Sequence, residues 1–165
     1  MYRIKQILFF ILFVPGFAAA MSNDNQQPAA INADSALLNL KENTRIFTGH
    51  VKVTQGSTQL TANKLITYGS KQKKFSKLIA LGNPATYQTI PKQGDAIFYA
   101  SANKIEYFAD TGKVILIGDG ILHQGVNSFK ASYITYDRKQ GIITSKHEKN
   151  QRTTIIIQPN ALPKS

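Results

Sequence analysis

Between residues 29 and 157 the chain alternates. Short runs in which every second residue is apolar are punctuated by Gly, Asn and Asp, the signature of half-buried strands. Phe47, Gly49, Val51 and Val53 fall on one side of an extended chain, and Thr48, His50, Lys52 and Thr54 on the other, because successive side chains in a strand point to opposite faces. Gln55-Gly56 reads as a turn, after which Thr58, Leu60 and Ala62 continue the same side. No stretch of ten or more residues carries the i, i+3, i+4, i+7 spacing of an amphipathic helix. The pattern predicts an all-β domain with no substantial helix.

The unit recurs 69 residues later. Ile46 matches Ile115, Gly49 matches Gly118, Gln55 matches Gln124, Gly56 matches Gly125 and Ala62 matches Ala131. Composition alone would give roughly one or two identities over such a stretch. The apolar side repeats too, with Phe47 against Leu116, Val53 against Leu122, Leu60 against Phe129 and Leu65 against Ile134. A repeated β unit cannot bury its apolar face alone and must stack on a neighbour. Between the copies the sequence suggests a further hairpin, with residues 78–81 and 85–89 as arms and Gly82-Asn83-Pro84 as its turn. Residues 92–95 suggest a looser polar turn.

The ends read differently. Arg3 and Lys5 precede eight unbroken apolar residues, 7–14, then Pro15-Gly16 and the small residues Ala18-Ala19-Ala20. This is a secretory signal with cleavage expected after Ala20; the apolar run is too short to span a bilayer, which takes about 20 residues. Residues 1–20 are therefore expected to be removed, 21–28 to be a flexible lead-in, 29–157 the domain and 158–165 a flexible tail. The whole chain carries 20 Lys and Arg against 9 Asp and Glu, a formal +11; without Arg3 and Lys5 the charge is +9. There is no Cys, so neither a disulfide nor a thiol-linked lipid is available.

Little points to catalysis. His50, His123 and His147 lie too far apart for metal-ligand spacing, and no metal is expected. Asp34, Glu106, Asp110 and Asp119 each adjoin an expected turn, where acids commonly cap. Nucleophile-elbow, P-loop and dinucleotide motifs are missing, and Gly118-Asp119-Gly120 reads as a lone Gly-rich turn. The chain is not expected to be an enzyme or to need a cofactor. Lys64, Lys71, Lys73, Lys74 and Lys77 form one basic stretch, and Lys139, Lys146, Lys149 and Arg152 another. These are either a solvated surface or an attraction for a polyanion, and export makes nucleic acid an improbable partner. Two facing sheets of this composition would enclose either a filled sandwich core, the commoner outcome, or an open apolar groove.

Ile31-Asn32-Ala33-Asp34, the run from Phe47-Thr48-Gly49-His50 through Gln55-Gly56, and Ala62-Asn63-Lys64 resemble the OstA-like family of lipopolysaccharide-transport bridge proteins, the LptA family. So do Gly82-Asn83-Pro84-Ala85-Thr86-Tyr87-Gln88 and Ile117-Gly118-Asp119-Gly120. The family usually has Asp where Asn63 stands and Asn where His50 stands. The resemblance covers about residues 29 to 157. It implies an open, twisted antiparallel β-jelly roll in the periplasm that binds lipopolysaccharide, with acyl chains in the groove and phosphorylated head group outside. It implies head-to-tail self-association, with an LptC-like inner-membrane partner and an LptD-like outer-membrane partner. The groove candidates are Ile31, Leu38, Phe47, Val51, Val53, Leu60, Tyr87, Ile105, Tyr107, Leu116, Leu122 and Phe129; Ile31, Tyr87 and Tyr107 stand where the family lines its groove. The alternative is a structural adaptor with a filled core that links β-domains and binds no lipid.

Overall fold

The computed structural model describes residues 27–69, 75–90, 95–146 and 152–157. The signal segment, residues 21–26 of the lead-in, the tail 158–165, and Lys71, Lys73, Lys74, Lys149 and His147 lie outside the described residues.

Among the described residues ten strands form one antiparallel sheet: β1 (Ala30–Asn32), β2 (Ser35–Asn39), β3 (Thr44–Gln55), β4 (Thr58–Gly69), β5 (Phe75–Thr89), β6 (Phe98–Phe108), β7 (Lys113–Gln124), β8 (Asn127–Asp137), β9 (Ile142–Lys146) and β10 (Thr154–Ile156). The six long strands run as a meander, each beside its sequence neighbour. The short ones share the two edges. β1 and β2 both pair with β3, at Lys52–Thr54 and Thr44–Thr48. β9 and β10 both pair with β8, at Tyr133–Asp137 and Ser128–Lys130.

Every long-strand pairing is interrupted near its middle, and the β4–β5 pairing a second time at its end, between Tyr68 and Gly69. Register shifts fall between Thr48 and Val51, Thr61 and Lys64, Leu81 and Ala85, Ser101 and Lys104, and Ile117 and Gly120. Bulges of this kind bend a strand and sharpen its twist. Aligned across the sheet, they make a crease, and the sheet folds along it into two halves around one core.

Small and left-handed residues make the bend possible. Gly49 and Gly118 have φ of 80° and 75°, followed by His50 at 42° and Asp119 at 49°. A Cβ on Gly49 would run into the Asp34 side chain, and one on Gly118 into Asn103. Asp34 and Asn103 are themselves 69 residues apart, so the repeat extends to tertiary contacts. The turn glycines Gly56 and Gly125 also match, at φ 57° and 58°.

The core confirms the inward side. Val51, Leu60, Leu65, Ile105, Leu116, Leu122 and Ile134 are buried, with alanines at 62, 80, 85, 100, 102 and 131 beside the crease, where bulkier side chains would hold the halves apart.

Three expectations are corrected. Gly82-Asn83-Pro84 is not a hairpin turn: β5 continues through it, pairing on both sides of it with β4 and β6. Its residues, including a cis Asn83-Pro84 bond, form the crease of that strand. Gly118-Asp119-Gly120 is likewise the crease of β7 rather than a turn between strands. Glu106 does not adjoin a turn; it sits within β6, bridged to Lys104 at 2.6 Å and Lys77 at 3.2 Å.

Candidate functional site

The inner face is built from ladders of directly opposed residues. One runs Ile31, Val53, Leu60, Tyr87, Ala100, Leu122, Phe129, Ile155, crossing the sheet from β1 to β10 without a charged residue. In the other half, Ala36, Phe47, Leu65, Ala80, Ile105, Leu116, Ile134 and Ser145 form a second. A third runs Leu38, Arg45, Thr67, Leu78, Tyr107, Val114, Tyr136 and Ile143. Opposed side chains in such rows stand about 5 Å apart, so each row is a continuous apolar surface except at Arg45, Thr67 and Ser145.

All twelve groove candidates share this side, but they divide by exposure. Val51, Leu60, Ile105, Leu116 and Leu122 are buried and fill the core. Phe47, Val53, Tyr87, Tyr107 and Phe129 are half-buried and pack against it. Ile31 and Leu38 lie on the outermost strands, 38% and 56% exposed. At the opposite edge Ile155 is 51% exposed. The first ladder is thus open at both ends and closed in the middle.

Part of that closure is aromatic. Phe98 stacks on Tyr136 with ring centroids 5.4 Å apart and meets Tyr87 edge-on at 6.3 Å. Phe98 belongs to one half of the fold and Tyr136 to the other, both far from the crease, so the stack joins the lips of the V between β6 and β8.

Sequence reasoning missed Leu78, Tyr136, Ile143 and Ile155. Alternation would have found Leu78 and Tyr136 once the crease was known. Ile155 sits in the apolar run 155–157, whose strand carries too few residues to signal by period. Arg45 was also missed. It opposes Leu38 and Thr67 on the inner side of β3, near the first edge.

The outer face is mixed: Lys, Thr, Gln and His side chains alternate with one largely apolar row, Leu37, Ile46, Ile66, Ile79, Glu106, Ile115, Thr135 and Thr144, which Glu106 interrupts with a charge. Burial pushes the Glu106 carboxyl up, but hydrogen bonds from Lys104 and Lys77 and their charges outweigh it and hold the group below its ordinary value of 4.5. At the first edge His50 Nδ1 donates to Asp34 Oδ2 at 2.8 Å, and Asp34 N donates to Gly49 O at 3.0 Å. These tie the link between β1 and β2 into the crease. Among the described residues no three His, Asp or Glu side chains gather as a metal site.

Comparison with known proteins agrees with this architecture. Residues 30–142 match the family described as LptA/(LptD N-terminal domain) LPS transport protein. The lipopolysaccharide export system protein LptH of Pseudomonas aeruginosa is 31% identical over 149 residues, covering 86% of this chain and 85% of that protein. The lipopolysaccharide export system protein LptA of Escherichia coli is 30% identical over 150 residues, covering 90% and 80%. A crystal structure of LptH, described as the LptA-homologous periplasmic component of a conserved lipopolysaccharide transport device, superposes with a TM-score of 0.73 at 31% identity, covering 82% of this chain and 99% of that one. Extent of match, identity and fold together place the chain in the LptA/LptD N-terminal domain family of LPS transport proteins.

Proposed function

We propose that the mature chain is a periplasmic, non-enzymatic carrier of lipopolysaccharide. It holds the acyl chains against the inner face and hands the lipid from an LptC-like inner-membrane partner towards an LptD-like outer-membrane partner. The observation that carries the reading is the apolar ladder from Ile31 to Ile155, which reaches both edges of the sheet. An acyl chain in water costs about 0.8 kcal/mol per exposed CH₂, so crossing an aqueous gap calls for an apolar surface that does not stop at the end of one protein. Family membership supports the same cargo.

The edges support head-to-tail joining. The lateral order β2, β3, β4, β5, β6, β7, β8, β9 alternates in direction at every step. Seven antiparallel steps separate β9 from β2, an odd number, so β9 runs opposite to β2, and by the same count β10 runs opposite to β1. A second copy can therefore continue the sheet antiparallel, with its β1 and β2 beside the first copy's β10 and β9. Exposed edges otherwise invite aggregation; here β-augmentation makes them joints. Ile155 of one copy would then meet Ile31 of the next, joining ladder to ladder.

A photo-crosslinker placed in living cells at Ile31, Tyr87, Tyr107 or Ile155 should yield adducts with labelled lipopolysaccharide, and one at the outward Lys52 should not. Protein-only adducts at all four inward positions would overturn the reading. They would favour the adaptor with a filled core, to which the Phe98–Tyr136 stack and the buried Val51, Leu60, Ile105, Leu116 and Leu122 lend weight.

A further inference from the structure

The two edges of the crease are not alike. At the first, the link between β1 and β2 is Ala33-Asp34, and Asp34 closes the crease by binding His50 and Gly49. At the other, β9 and β10 leave Ala131 and Ser132 of β8 outside their ladders. There a surface pocket of about 310 Å³ opens, lined by Asp119, Lys130, Ala131, Ser132, Arg152 and Thr154. Asp119 and Ser132 stand 69 residues after His50 and Asn63, so this is the second repeat's version of the closed crease.

Two features of the pocket ask for a ligand. Ser132 is 8% exposed, and its hydroxyl has no hydrogen-bond partner among the described residues. A buried hydroxyl is normally satisfied, and one staggered step about χ1 re-aims it. Lys130 and Arg152 form no ion pair with a carboxylate among the described residues, although Asp119 lines the same pocket. Two cations and a stranded hydroxyl make the donor set for a tetrahedral oxyanion, with Arg152 able to bind two oxygens at once. Asp119 opposes such binding and limits its strength.

We infer that the crease pocket at the β8 edge binds a phosphate or phosphomonoester dianion through Lys130, Arg152 and the Ser132 hydroxyl. The ligand is either free phosphate or the phosphate of a lipid head group; the second arm rests on the carrier function proposed above, and the first does not.

The test uses the full mature chain, isotopically labelled, titrated with inorganic phosphate against chloride at matched ionic strength. Amide shifts at Lys130, Ala131 and Ser132 should saturate with phosphate alone. Lys130→Gln or Arg152→Gln should weaken binding about tenfold, and Ser132→Ala by a smaller factor. Asp119→Asn, which keeps a residue tolerant of positive φ, should tighten it about threefold. Lys130 and Arg152 are exposed, so their variants should retain the wild-type spectrum elsewhere. Equal shifts with chloride, or shifts indifferent to both charge removals, would overturn the site. Bisphosphorylated lipid A and its dephosphorylated form then separate the sources. Preference for the former, lost in Lys130→Gln, assigns a head-group phosphate; equal binding of both lipids assigns free phosphate. If neither lipid binds while phosphate does, the carrier reading fails and the anion site stands.

Discussion

The two copies of the repeat share a backbone course and differ in surroundings. The first, β3 and β4, lies against the edge formed by β1 and β2; in the second, β7 is flanked by long strands on both sides. Gly49 and Gly118 hold the same left-handed crease, yet Gly49 abuts the largely exposed Asp34, whereas Gly118 abuts Asn103 within β6. Phe47 and Leu116 hold the same inward position, one half-buried and one fully buried. The same local sequence signal therefore serves an open edge and a keystone in the middle.

Substitutions at matched positions measure that difference. The largest effect is expected at the crease: Gly118→Val should cost about 3 kcal/mol or more and Gly49→Val about 2, since both strain the backbone but only the edge can yield. Urea melts of the two variants decide it, and equal losses would remove the distinction. Next, Leu116→Ala should cost about 3 kcal/mol, against about half that for Phe47→Ala, because the half-buried site leaves less of a cavity. Lipid crosslinking should suffer in the opposite order.

The third expectation concerns pH. Glu106, on β6, stands 69 residues after Leu37, on the edge strand β2, so only the second copy has this ion-paired brace. Its carboxyl is depressed below 4.5, so it contributes stability in full above that value and loses the contribution as pH falls through the lower, folded-state value. Thermal melts from pH 7 down to pH 3 should fall less steeply for Glu106→Gln than for the wild type. The smallest effect is expected from the first copy's own pair. His50 and Asp34 are 90% and 61% exposed, and Asp34→Asn should change stability by only a few tenths of a kcal/mol. A loss as large as that at Leu116 would show the edge crease to be structural in its own right.

Much of this was legible in the sequence. Alternation identified the inward side, and the 69-residue period tied Gly49 to Gly118 before any coordinates. The crease was not legible, because bending and reversing a strand call on the same residues. Gly82-Asn83-Pro84 carries every mark of a hairpin turn, and only the continuing register with β4 and β6 shows that the strand bends there and runs on instead of reversing. Alternation also slips at the crease: Ala62 and Leu65 both face inward three residues apart, as do Ala131 and Ile134, an odd spacing that a period of two excludes. Burial depth was hidden for a different reason. Ile31 and Leu116 have the same parity and similar side chains, and what separates them is how many strands stand on either side.

The opposed polarity of the two edges has a further consequence. A contact between different surfaces of identical units does not close on itself unless its rotation returns to the start; otherwise it generates an open screw. If copies join through these edges as proposed, the edge strands themselves set no limit to the row. The number of units in a row would be a property of whatever caps the ends, and each added unit would turn the apolar face by the same angle, winding it as a helical stripe along the filament.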